Sequence, residues 1–151
     1  MKKLSQIFII LVVMQSICFA EEIQTKIDEN KIAAIKVADA WLKLVDEKKY
    51  GESYEQAAIF FKTAVTRANW EQSLNGILPS FGKINSRELI SAVYKTSLPG
   101  APDGEYFVIT FMTSFENKED SLETVAPMKD FDGVWRVSGY YSSFAPKRSI
   151  K

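Results

Sequence analysis

The sequence predicts an α+β domain, with three N-terminal helices packed on a curled four-stranded antiparallel sheet. Three observations lead there. Apolar residues recur at helical spacing up to about residue 78, and at a spacing of two after Gly82. No helix-length segment separates the alternating runs, so the strands should pair antiparallel as a meander. Neither layer can bury its apolar side alone, so the helices must cover one face of the sheet.

The first twenty residues stand outside that domain. Met1-Lys2-Lys3 is a short basic start, Leu4 to Val13 is mostly apolar, and Cys18-Phe19-Ala20 sets small residues three and one before a cut. This is the pattern of a secretory signal cleaved near Ala20, so the mature chain is expected in the periplasm or the medium, with no membrane span. The expected organisation is signal peptide 1–20, one α+β domain 21–146 and a basic tail 147–151. Cleavage takes two of the 19 basic residues and none of the 19 acidic ones, leaving a net charge of −2.

Within the domain, Glu22 to about Glu47 reads as one helix. Ile35, Ala38, Leu42 and Val45 form its stripe, flanked by Ala34, Val37, Trp41 and Leu44. Lys48 and Lys49 suit its C-terminus, and Gly51 follows. Ser53-Tyr54-Glu55-Gln56 reads as a capping box opening a second helix to about Val65. Thr66 or Asn69 can cap a short third helix carrying Trp70, Leu74 and Ile77, which Pro79 and Gly82 end.

Four strands complete the domain. Asn85 to Leu98 alternates, with Ile90, Ala92, Tyr94 and Leu98 on one face and Arg87, Ser91 and Lys95 on the other. Glu105 to Phe115 follows, with Phe107, Ile109, Phe111 and Phe115 forming an aromatic core face. Between these runs, Pro99 to Gly104 reads as a hairpin connection. Ser121 to Met128 is the third strand, where Pro127 requires an edge position or a bulge. Asp132-Gly133 turns the chain into the last strand, Val134 to Phe144.

Composition excludes several chemistries. The chain has no His, and its one Cys lies in the leader. The mature domain therefore lacks disulfides, His-based nucleophile pairs and the usual zinc or iron ligands. No cofactor and no metal are expected. Gly100 and Gly104 lack the Lys-Ser/Thr and following helix of a phosphate loop. Asp130 and Asp132 resemble a fragment of a calcium loop whose remaining ligands are missing. A slightly acidic domain with no basic cluster does not suit nucleic acid.

The candidate cavity residues are Asp39, Trp41, Tyr94, Trp135, Arg136 and Tyr140. Asp39 interrupts the apolar surface of the first helix and could be a buried base. Glu88 and Glu123 lie on strands and could also face inward. The aromatics could line a cavity or simply fill the core. Arg87 and Arg136 could hold an anion or make sheet-face salt bridges.

Several words in the chain match a known family. Residues 40–46 (AWLKLVD), 61–66 (FKTAVT), 98–105 (LPGAPDGE), 113–118 (TSFENK), 123–128 (ETVAPM) and 132–141 (DGVWRVSGYY) resemble the bacterial domain-of-unknown-function family 4019, a set of exported proteins. The resemblance spans roughly residues 33–142 and implies no catalytic role for any residue. The closing DG-x-W-R-V-S-G-Y element also looks like the last strand of cystatin-like and nuclear-transport-factor-two-like rolls, which implies a cone-shaped cavity.

The expected function is an exported, non-enzymatic domain that binds a small apolar ligand, an envelope protein or a second copy through the Tyr106, Val108, Thr110 and Met112 face. One alternative is a hydrolase or isomerase using a buried carboxylate such as Asp39 with Tyr94. Another is a structural envelope-associated protein.

Overall fold

The computed structural model describes residues 2–144, with side chains described from 21 to 143. The basic tail expected at 147–151 lies outside the described residues. The chain divides into two compact units, residues 1–32 and residues 33–151. Helix α1 runs Lys2–Asp46, so helical backbone begins well before the Glu22 expected from sequence and includes the stretch read as a leader. Among the described residues, no helix is long and apolar enough to cross a membrane.

The second unit is α+β. After α1 come α2 (Tyr50–Gln56), α3 (Ile59–Ala64), α4 (Arg67–Ile77) and a 3₁₀ turn (Leu78–Ser80). Strands β1 (Ile84–Lys95), β2 (Tyr106–Phe115), β3 (Lys118–Lys129) and β4 (Trp135–Phe144) follow as an open antiparallel meander in the order β1-β2-β3-β4.

The α1 stripe is buried as its period requires: Ala34, Ala38, Trp41, Leu42 and Val45 are all enclosed. Its end differs from expectation. Lys48, not Gly51, takes the left-handed conformation, with φ 60°. The Lys49 amide bonds the Leu44 carbonyl at 2.8 Å and the Lys48 amide bonds that of Val45 at 3.0 Å. This paired ending satisfies the last carbonyls and turns the chain sharply into α2.

The expected capping box does not form. Ser53 lies inside α2 and is fully buried. Its hydroxyl donates to the Tyr50 carbonyl at 2.8 Å and accepts from Trp70 Nε1 at 3.0 Å. Trp41 Nε1 donates to the Ser53 carbonyl at 2.8 Å. Two buried indoles thus claim the atoms that a cap would have used, and the expected second helix splits into α2 and α3. Thr66 does cap α4, accepting from the Asn69 amide at 3.3 Å.

The odd positions of β2 face the core, as the alternation predicts. Phe107 packs on Tyr94 and Trp135, and Phe115 packs on Phe81. Trp41, Phe61, Trp70 and Tyr140 form a second aromatic group joining the helices to β4. Pro127 sits in a central strand, at the register shift between Ala126 and Pro127. A bulge there removes the need for the amide that proline lacks.

The 97–104 connection folds back on the sheet. Leu98 and Ala101 pack against Ala58, Tyr106 and Met128, and the Tyr106 hydroxyl donates to the Pro102 carbonyl at 2.6 Å. Tyr106 is therefore buried rather than exposed, and Val108, Thr110 and Met112 are half-buried.

Candidate functional site

A polar cluster lies where the end of α1 meets the sheet. Its centre is Glu123 on β3, only 1% exposed. Glu123 is in phase with Val125 and Ser121, so the two-residue period of β3 places it inside. Oε2 accepts from Arg87 Nε at 2.8 Å and from the Thr113 hydroxyl at 2.5 Å, and Oε1 accepts from the Tyr140 hydroxyl at 2.7 Å. Three donors face this carboxylate, which acts as acceptor throughout. Arg87 reaches on to α1, donating from Nη1 and Nη2 to Asp46 at 2.7 and 3.0 Å.

Arg87 reaches this position because β1 is bulged. Tyr94 and Ala92 pair with Phe107 and Ile109, but after the shift between Leu89 and Ser91 it is Leu89 and Arg87 that pair with Phe111 and Thr113. One extra residue reverses which parity faces inward. Ile90, expected in the core, is 54% exposed.

The electrostatics follow from the geometry. Burial works against the Arg87 charge, but Asp46 and Glu123 outweigh it and hold the guanidinium above its ordinary value. Burial, and then the Glu123 charge, raise the Tyr140 phenol. A carboxylate engaged by three donors is fixed in orientation and makes a strong anchor.

The cluster forms one wall of a half-open cleft of about 400 Å³. Its polar lining is Asp46, Tyr50, Glu123 and Tyr140 together with the exposed Lys48, Lys83 and Glu116. Val45, Leu78, Pro79, Ile84 and Phe115 line its apolar side. The volume falls in the range of small-molecule sites, and the composition of apolar walls with a few convergent polar groups matches them too. Among the described residues, no group of three or more Cys, Asp or Glu side chains is placed to hold a metal ion.

The sequence candidates scatter around this site. Tyr140 belongs to it. Trp41 packs behind it, against Tyr140. Asp39 is exposed on α1; partial burial still raises its carboxyl, with Arg87 opposing. Tyr94 and Trp135 both pack against Phe107, and neither lines the cleft. Arg136 pairs with Asp130 and Asp132 at the β3–β4 turn. The structure adds Asp46, Tyr50 and Thr113, and it brings in Glu123, whose strand placement allowed an inward side chain, and Arg87, expected to hold an anion or make a salt bridge. The in-phase position of Glu123 on β3 was a readable signal, whereas the inward turn of Arg87 depends on a bulge with no Gly or Pro to mark it.

Comparison with known proteins agrees with the family words in the sequence. No curated protein and no solved structure matches the chain. Residues 37–140, which include α1 from Val37 and every residue of the polar cluster, match the family described as "Protein of unknown function (DUF4019)". With more than half of its length covered by that match, the chain belongs to this family.

Proposed function

We propose that this chain is the exported, non-enzymatic binding domain of a periplasmic or secreted protein, cystatin-like in build, and that it takes a small, largely apolar molecule in the cleft beside Glu123. The observation that carries the reading is the cleft itself, which brings apolar side chains and an anchored polar cluster together. What supports export is the basic start, the apolar run and the small residues ending at Ala20. What weighs for binding over catalysis is the engagement of Glu123 by three donors, together with the exposure of Asp39.

Titration of the protein with 1-hexanol, followed by two-dimensional amide spectra, tests this. Saturable shifts should gather at Val45, Ile84 and Phe115, and Ile84→Trp should abolish them by filling the cleft. Shifts that stay linear, or that spread evenly over the surface, would remove the reading.

A second copy of the chain is the partner this reading adds. On the sheet face away from the aromatic core, Val93 pairs with Val108, Met112 with Leu122, and Thr124 with Tyr141. Val93 and Tyr141 are 45% and 66% exposed. A patch of this kind, with Glu88 beside Met112, can pair with its own image about a two-fold axis. Sedimentation should show a dimer that Val93→Lys with Tyr141→Lys converts to monomer. A wild-type monomer at high concentration would remove the dimer and leave the ligand site untouched.

A further inference from the structure

The two edges of the sheet are finished differently. β1 has β2 on one side, and among the described residues no loop or turn hydrogen bond reaches its backbone on the other. At the opposite edge the Ala58 amide, at the start of α3, donates to the Val137 carbonyl of β4 at 2.8 Å. Leu89, Ile90 and Val93 are all exposed on β1. An uncovered strand edge with exposed apolar side chains is a template for a further strand.

The charges of β1 decide which strand fits. Glu88, Val93 and Lys95 share the outer face of the sheet, because they pair with Met112, Val108 and Tyr106, the even positions of β2. Glu88 and Lys95 are exposed, and neither makes an ion pair among the described residues. Ile90 is the extra residue at the register shift, so Leu89 and Ser91 occupy successive places in the pleat. Glu88, Leu89 and Ser91 then precede Ala92 as Val93, Tyr94 and Lys95 follow it. The strand carries its acid and its base at equal spacing on either side of Ala92.

We propose that two copies of this chain join antiparallel along β1, about a two-fold axis at Ala92. Each Glu88 then faces the other copy's Lys95 on the outer face. Each Leu89 faces the other copy's Tyr94 on the core face, and each Ser91 faces the other copy's Val93. The members of every pair lie on the same face, as antiparallel pairing demands. Opposite charges, and an aliphatic side chain against an aromatic one, are favourable cross-strand partners. A slip of two residues keeps the faces but loses the charges. One way it sets Glu88 opposite Val93; the other way it sets Lys95 opposite Ser91. A bulge and edge charges discourage pairing with an arbitrary strand. Here the same charges are answered by a second copy in one register, so they select this chain as its own partner. The inference rests on the second-copy reading above and names the seam along which the copies meet.

Sedimentation equilibrium over a range of protein concentrations tests it. The wild type should form a dimer. Glu88→Lys alone, or Lys95→Glu alone, sets like charges opposite each other at both ends of the seam and should weaken the dimer about tenfold. The exchanged protein, Glu88→Lys with Lys95→Glu, should recover wild-type association, which a merely local loss of stability would not allow. Tyr141→Lys alone, on the far strand, should leave the dimer unchanged. A dimer indifferent to both single substitutions, one not restored by the exchange, or one broken by Tyr141→Lys alone would overturn the edge inference and leave the second-copy reading standing. A wild-type monomer at high concentration would overturn that reading, and the seam with it.

Discussion

Glu123 holds four elements together through side chains of single residues. Arg87 from β1, Thr113 from β2 and Tyr140 from β4 converge on it, and Arg87 carries the link to α1. Removing the carboxylate leaves a guanidinium 16% exposed with only Asp46 as partner. Glu123→Ala should therefore cost about 3 kcal/mol in urea unfolding, the scale for breaking a buried ion pair from one side. A loss no larger than that of a surface substitution would contradict the network. Tyr140 gives a pH test. Its phenol titrates above the ordinary value of 10.0 in the fold, mainly through burial. A raised acid favours folding while it is neutral, so its contribution is full below pH 10 and is lost as pH rises past that value. Urea midpoints should fall from about pH 9 to about pH 11, and Tyr140→Phe should flatten part of that fall. Parallel curves for the two proteins would assign the alkaline loss elsewhere.

At the scale of elements, the bulges decide the site. Ile90 is the extra residue of β1, since Leu89 pairs with Phe111 and Ser91 with the next residue, Thr110. Deleting Ile90 should leave both halves of β1 in register and the protein folded, with a thermal midpoint a few degrees below wild type. Deleting Val125, fully buried in β3, should instead abolish the cooperative transition. Circular dichroism melts compare the two. The element types and the meander were legible because periods of 3.6 and 2 are written directly in the apolar residues. Pro127 called for an edge position or a bulge, and it sits at a register shift in β3. The β1 bulge was not legible, because any residue can occupy it, and the alternation rule therefore placed Arg87 on the wrong face. The capping box failed for a related reason: the hydrogen-bond demands of Trp41 and Trp70, 12 and 17 residues from Ser53, overrode a local signal. Half of the site thus followed from strand phase, and half from long-range contacts that no local pattern encodes.

For the whole molecule, every described core residue lies at or beyond Ala34. The second unit should need nothing earlier. A chain starting at Glu29 should give the same dispersed amide spectrum for residues 40–140 as the full chain, and a collapsed spectrum would show that the first unit is required. The sheet around the site is a meander, so strand neighbours are also sequence neighbours and can pair early. The cluster around Glu123 is different. Arg87 bonds a partner 36 residues later and another 41 residues earlier. Such contacts close long loops and are rewarded only after the chain has paid their entropy. The polar wall of the cleft is therefore complete only when Tyr140, midway along β4, is in place. A nascent or C-terminally clipped chain could carry α1, the helices and three strands and still lack the Tyr140 donor to Glu123. Ligand competence in this domain would then report that the chain has been made and folded through β4.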